Sequence, residues 1–407
     1  MQQYIDLIKD VRDNGNNKGD RTGTGTVSVF HRTMRFNLRE GLPLVTVKHT
    51  PFRPIVEENL WFLNGDTNNE TLREKNVKIW NDWAVGIEDI KWEHVDIEKL
   101  KSLVPPHLLD VSFHRQPTKA LEWVKSDTVG GDVNLVLKDG LRIGDLGPVY
   151  GKQMRKWNSG FIDRRQLDDK IRRAEFDGKI DLARLSQLMD YSDAARDQIA
   201  ELLYLLKARP DSRRHIVNNW NASELPDEMN LSPQENVLVG NAALAWCHTL
   251  LQAYTRELSY EERKAEYASR SGVELPAMWN EDKDYTLLLN RMNVPTRALS
   301  LSVYCRSQDI LLGTPFNIAG YALLCHMFAH ILNYTVDELI WIGGDVHIYN
   351  NQLDKIPEFI DREPRPLPKL VINTKGRTVT DPKDFIFEDF TLEGYDPHPR
   401  VSIPVSK

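Results

Sequence analysis

The stretch LSLSVYCRSQDILLGTPFNIAGYALLCHMFAHIL, residues 299–332, sets the frame for the rest of the chain. In residues 299–305, Leu299, Leu301 and Val303 alternate with Ser300, Ser302 and Tyr304, the period of a strand with one buried face. Residues 315–332 then read as a helix that is apolar on nearly every side, and such a helix is expected to be buried. The longest apolar run within it, 318–332, contains His326 and His330 and is expected to be too short to span a bilayer. A further short strand follows at 339–342 and leads into Gly343-Gly344. The stretch thus offers a strand, a buried helix and a second short strand in succession.

Working outward, residues 1–14 read as a helix with Ile5, Leu7, Ile8 and Val11 on one face. Residues 19–26 form a polar, glycine-rich turn, and 26–30 and 34–36 read as the two strands of a hairpin. A helix is predicted over 54–63, with Pro54 near its first turn and Asn64-Gly65 as its stop. Residues 214–219 look like a strand. Periodicity leaves 242–258 open between strand and helix. Residues 193–207 read as an amphipathic helix, and from Arg362 onward the chain is Pro-rich and extended. The expected organisation is one catalytic domain over 1–407, with insertions near 84–145, 160–207, 224–240 and 259–298. The first and last of these read as charged and irregular and the third as a polar loop.

The chain has 407 residues and a net charge of −7. That balance argues against a general nucleic-acid binder, which needs a basic footprint, and leaves room for a local basic pocket. Three widely spaced cysteines, Cys247, Cys305 and Cys325, make neither a disulfide framework nor a zinc motif, so no metal is expected. A reducing compartment fits them, and residues 1–10 lack the layout of a signal peptide. The expected location is the cytoplasm, with no membrane association.

Several constellations can carry chemistry. Cys247-His248 sets a thiol beside an imidazole, and nearby positive charge favours the nucleophilic thiolate; a buried, inert cysteine is the commoner fate of such a residue. Arg213-Arg214 and Arg306-Ser307 offer guanidinium forks suited to phosphate, or simply surface ion pairs. Arg21 lies in the glycine-rich turn, whose N–H groups can hold an anion. Glu57 and Glu58 sit on an apolar helix, where a desolvated carboxylate can act as general acid or base. His347 and Tyr349, two apart on an extended segment, project to one side and can share a hydroxyl ligand or pack as an aromatic pair. There is no GxxxxGK[ST] or GxGxxG signature.

Taken in order, these segments resemble the thymidylate synthase family. The resemblance rests on DRTGTGT at 20–26, ENLWFLNGDTN at 58–68, IWNDW at 79–83, LGPVYGKQ at 146–153 and DSRR at 211–214. It continues through Cys247-His248, RSQD at 306–309, LGTPFNIA at 312–319, GGDVHIY at 343–349 and YDPHP at 395–399. It implies a three-layer α/β (α+β) fold on a large mixed sheet, with homodimers packed through that sheet. It implies Cys247 as nucleophile, and Arg21, Arg306 and Ser307 on the substrate phosphate, with Arg213 and Arg214 supplied by the other subunit. His347 and Tyr349 are implied at the deoxyribose hydroxyl, Asn317 at the uracil edge, and Glu58 and Tyr150 in proton transfer. Trp80, Trp83, Asp309, Leu312, Gly313, Phe316 and Tyr150 are implied at the folate site. Related cytosine-specific enzymes carry Asp at the position of Asn317, so Asn317 implies dUMP.

The implied reaction moves one carbon from 5,10-methylenetetrahydrofolate to C5 of dUMP with reduction, giving dTMP and dihydrofolate. Four positions depart from the pattern. Trp246 replaces Pro, Cys305 replaces Gln, Gly320 replaces Ser, and the small apolar terminus becomes Lys407. Changes beside the chemistry bear on water exclusion, and hence on the last step. The alternative reading is therefore a dUMP hydroxymethylase that releases 5-hydroxymethyl-dUMP and tetrahydrofolate. A catalytically silent binding relative is the third.

Overall fold

The structure is a computed structural model that describes residues 1–110, 117–127, 131–157, 195–272 and 286–406. The chain divides into two compact units. One comprises Met1–Leu60, Asp197–Asn219 and Cys247–Lys407; the other comprises Trp61–Arg196 and Trp220–Trp246. Most of the predicted insertion at 160–207 lies outside the described residues, as do Lys407 and part of 259–298.

The first unit is built on a six-stranded mixed sheet in the order β1-β2-β6-β5-β4-β3. Its strands are β1 (Asn16–Lys18), β2 (Thr26–Asn37), β3 (Ile216–Asn218), β4 (His248–Glu257), β5 (Arg297–Asp309) and β6 (Thr335–Tyr349). β5 and β6 run parallel, and the helix Gly313–Leu332 connects them; the other pairings are antiparallel. The quoted stretch is thus the centre of the fold. Leu299, Leu301 and Val303 are fully buried, while Ser302 and Tyr304 are partly exposed.

The helix Gly313–Leu332 has 20 residues, beginning earlier than the apolar run suggests. By length and composition it is long and apolar enough to cross a membrane. It is instead a core helix: Ile318, Ala319, Ala322, Leu323, Cys325, Met327 and Phe328 are fully buried. It ends at Asn333, whose φ of 52° is the left-handed cap that Asn tolerates. The helix Gln2–Asn14 buries Tyr4, Ile5, Leu7, Ile8 and Val11, the face its periodicity indicates together with Tyr4.

Several expectations are corrected. The predicted hairpin at 26–36 is one continuous strand. β2 pairs with β6 in unbroken register from Thr26↔Tyr349 to Asn37↔Glu338, so the polar run His31-Arg32-Thr33 lies in mid-strand. β6 likewise runs on through Gly343-Gly344 to Tyr349. The ambiguous 242–258 segment resolves as strand from His248, because Leu251, Ala253 and Thr255 are buried while Gln252 and Tyr254 are exposed. Within 259–298 the chain forms the helices Tyr260–Ser271 and Thr286–Arg291. The first is opened by a Ser259/Glu262 capping box and closed by Gly272 at φ 67°. The C-terminal region is extended but includes a small antiparallel pair, β7 (Lys369–Ile372) with β8 (Phe390–Glu393).

The second unit is made of short helices and turns. The helix Phe52–Leu63, which belongs to the first unit as far as Leu60, ends at Gly65, whose φ of 71° carries the predicted stop. The region 224–240, expected to be a loop, contains the helix Pro233–Leu238, started by a Ser232/Glu235 capping box with Pro in the first turn. Among buried polar groups, Glu224 accepts hydrogen bonds from Lys152 and Gln153, so this carboxylate is not left unpaired in the interior.

Candidate active site

In the first unit, the parallel register of β5 and β6 brings the predicted residues together. Ser307 faces Asp345 and Asp309 faces His347 across the pair, while Thr26 and Ser28 of β2 face Tyr349 and His347. Paired residues project to the same side of a sheet. Asp345, His347 and Tyr349, spaced by two on β6, therefore form a row with Ser307 and Asp309.

Cys247 immediately precedes β4 and extends its ladder by one bond. Its carbonyl accepts from the Arg306 N–H at 2.7 Å, which sets the thiol-bearing residue beside the phosphate-binding candidate. Cys247 is partly exposed, whereas Cys305 and Cys325 are fully buried. Burial pushes the Cys305 thiol well up, and the neighbouring Cys247 adds to that shift. Accessibility thus separates a candidate nucleophile from two inert thiols.

Tyr349 ties several candidates into one electrostatic neighbourhood. Its phenol is pushed up to about 12, first by burial, then by the charges of Asp309 and Asp20. Arg21 opposes that shift and Cys247 contributes to it. The His347 and Tyr349 rings also meet edge to face at 5.1 Å, so aromatic packing and ligand binding are compatible here. His347 Nδ1 lies 3.0 Å from Asp345 Oδ1, and Lys18 Nζ lies 2.6 Å from the other oxygen. The bond with His347, ahead of that with Lys18, holds the Asp345 carboxyl down at about 2. Asp345 thereby fixes the His347 ring. It was missed in the sequence, although its spacing from His347 is the strand period.

The glycine-rich turn works differently from expectation. Asp20 accepts from the N–H groups of Thr22 and Gly25, both at 2.7 Å, and from the Thr22 hydroxyl. Burial alone would raise the Asp20 pKa, yet these bonds outweigh it and the net shift is downward. Those two amides hold a carboxylate of the protein itself, so any anion binding at this turn falls to the Arg21 side chain.

Asp309 opens the central helix. Its Oδ1 accepts from the N–H groups of Leu311 and Leu312 at 3.1 and 3.0 Å, and Gln352 donates to Oδ2 at 2.9 Å. Burial raises its pKa in spite of these bonds. Gln352 also donates to the carbonyl of Pro404, which ties the C-terminal tail to the same carboxylate. Leu312, Gly313 and Phe316 follow in the first turn and are partly exposed, as is Asn317. The Asn317 amide donates to Gln308 Oε1 at 3.1 Å and shares a side-chain bond with His248. Burial lowers His248 to about 4, against the pull of that bond, so its imidazole is neutral at pH 7. It packs edge to face on Tyr321 at 5.3 Å. His248 was noted only as a neighbour of the thiol; its contact with Asn317 is a feature of the fold.

Glu58 lies partly exposed on the helix Phe52–Leu63. Arg213 and Arg214 are exposed, between the helix Gln198–Ala208 and edge strand β3. In the second unit, Trp80, Trp83 and Tyr150 belong to one aromatic cluster. Trp80 meets Trp61, Trp83 and Tyr150 at 5.9, 6.0 and 6.3 Å, and Phe62 meets Tyr150 at 4.9 Å. Trp246, next to the thiol in sequence, is buried in this unit against Trp220 at 6.3 Å. Among the described residues no cluster of three His, Cys, Asp or Glu side chains is arranged to hold a metal.

An α/β unit that sets a partly exposed thiol beside arginine, with a hydrogen-bonded carboxylate and an oriented amide nearby on the same sheet and helix, is suited to nucleophilic catalysis. The sequence matches the model of the family described as thymidylate synthase over residues 2–407, and the chain belongs to that family. Membership supports, at the family level, a folate-dependent one-carbon transfer onto dUMP, with methylenetetrahydrofolate as co-substrate.

Proposed function

We propose that the chain methylates dUMP at C5, giving dTMP and dihydrofolate. The observation that carries this reading is the accessible Cys247, whose carbonyl is bonded to Arg306, in a unit where the two other thiols are fully buried. The Cys247 thiolate adds to C6 of the uracil, which makes C5 nucleophilic. Arg21, Arg306 and Ser307 bind the phosphate, and the charge of the two arginines favours the thiolate. His347, oriented by Asp345, and Tyr349 bind the 3′-hydroxyl. Asn317 reads O4 and N3–H. Glu58 and Tyr150 move protons to and from the ring and the departing amine.

The folate supplies the one-carbon unit and, in the synthase, the hydride. The residues present fit such a molecule. In the second unit, Trp80, Trp83 and Tyr150 supply flat aromatic surface; in the first, the partly exposed Asp309 supplies an acceptor for ring N–H groups. Leu312, Gly313 and Phe316 are the further folate candidates of the first unit, at the start of the central helix.

The homodimer is part of the proposal. One face of the sheet carries Ile216, Gln252, Tyr254, Ser302, Tyr304, Ile340 and Ile342 in register across β3 to β6. Tyr254 is 66% and Ile216 42% exposed. An apolar, aromatic sheet face of this kind suits burial against a second copy, which would also deliver Arg213 and Arg214.

A second reading, dUMP hydroxymethylation, is favoured by one local observation. Gly320 has no side chain where the family pattern has Ser; a Cβ there would lie 3.3 Å from Asn59 Oδ1, one residue from Glu58. Space beside that polar amide favours water at the exocyclic carbon. Incubation with dUMP and methylenetetrahydrofolate decides between the two. A product heavier by CH₂ with dihydrofolate formed in step supports the synthase. One heavier by CH₂O without dihydrofolate replaces it with the hydroxymethylase, and no product sinks both.

A further inference from the structure

Gln308 has no role in the reading above, yet it is 3% exposed and bonded at both ends. Its Nε2 donates to the Ser307 carbonyl at 2.9 Å. Its Oε1 lies 3.0 Å from Thr314 Oγ1 and 3.1 Å from Asn317 Nδ2. The polarity of this chain of bonds is fixed from the backbone. A carbonyl can only accept, so the NH₂ end of Gln308 must face Ser307 and its oxygen must face Asn317. Thr314 has one hydroxyl hydrogen, which it shares between Gln308 Oε1 and the Asp309 carbonyl at 3.1 Å. Asn317 is therefore the steady donor to Gln308. If the Asn317 amide turned over, two carbonyl oxygens would face each other with no donor between them, which is unfavourable in a site closed to water.

We infer that Gln308 is a positioning residue that sets pyrimidine specificity by locking the orientation of the Asn317 amide. The inference rests on the proposed role of Asn317 at the base edge. In the locked orientation, Asn317 keeps one N–H to donate and an oxygen lone pair to accept. Uracil presents the complement, an accepting O4 and a donating N3–H. Cytosine presents the reverse, a donating amino group and an accepting N3, and matches only the turned-over amide. The relay links the backbone of Ser307, at the phosphate, to the residue that reads the base. A site built with fixed buried donors and acceptors rejects the mismatched partner strongly.

The test measures dissociation constants for dUMP and dCMP by titration calorimetry on the full chain, for wild type, Gln308→Met and Gln308→Glu. Met preserves length and burial but removes both polar ends. Glu keeps an acceptor facing Asn317. The wild type is expected to prefer dUMP; if it does not, the functional reading fails before the relay is reached. With that preference present, Gln308→Met is expected to reduce the discrimination ratio, the dCMP dissociation constant over that of dUMP, by at least about tenfold, partly through tighter dCMP binding. Gln308→Glu is expected to keep the ratio within about threefold of wild type. An unchanged ratio in Gln308→Met, or an equal loss in Gln308→Glu, overturns the inference. Should Gln308→Met not fold, Gln308→Glu decides alone: a retained ratio supports the lock and a lost ratio overturns it.

Discussion

Cys247 and the residues around it carry predictions that belong to single side chains. Removing the thiol in Cys247→Ala should lower turnover by roughly four orders of magnitude or more while dUMP binding persists, as nucleophile loss does elsewhere; steady-state rates and calorimetry check this. Asn317→Asp should move preference from dUMP toward dCMP, because a protonated or repositioned carboxyl matches the cytosine edge. His248 and His326 are both pushed down to about 4 by burial. Their folded-state values lie below the ordinary 6.5, so between those limits the unfolded chain binds more protons than the folded one. Stability should fall as pH drops from about 6.5 toward 4. Urea midpoints across that range test it, and His326→Leu should flatten the slope. Much of the candidate site was legible at this scale, because the residues fall in short ordered motifs. Asp345 and Gln308 were not singled out. Their importance lies in what they touch, and only the β5–β6 register and the start of the central helix bring those partners within reach.

The elements were legible where periodicity and stop signals agreed. The helix Phe52–Leu63 with Gly65 and the strand from Leu299 both combine a clear pattern with a clear end. Residues 26–37 failed because a polar run imitated a turn, although β6 pairs the strand on both sides of His31, the one residue at a left-handed φ of 57°. The Ser232/Glu235 and Ser259/Glu262 capping boxes were present in the sequence and mark the two helices that the charged composition obscured. For the central helix, Phe328 is fully buried, and Phe328→Ala should cost about 3–5 kcal/mol in denaturant unfolding. A loss below about 1 kcal/mol would mean that the site collapses around the smaller side chain, contrary to a close-packed core.

At the scale of the whole molecule, activity is proposed to require two chains. Sedimentation should show a dimer, and Tyr254→Glu on the open sheet face should shift it toward monomer with loss of turnover. A stable, active monomer would remove the proposed role of Arg213 and Arg214 across the interface. Mixing inactive Cys247→Ala and Arg214→Ala chains should restore part of the activity, because one site in each mixed dimer regains every group. The sequence alone pointed to this arrangement only through family resemblance. The physical signal, a row from Ile216 to Ile342 that is exposed at its β3 and β4 end and partly exposed beyond, depends on strand order.

The most direct measurement traps the covalent step. A dUMP analogue with fluorine at C5 cannot shed that substituent as a proton, so addition and one-carbon capture should stall at the ring. Incubated with this analogue and methylenetetrahydrofolate, the denatured chain should gain the mass of both molecules, mapped by peptide analysis to Cys247, and Cys247→Ala should gain nothing. A chain that binds dUMP but forms no adduct, or forms one at another residue, would contradict the account.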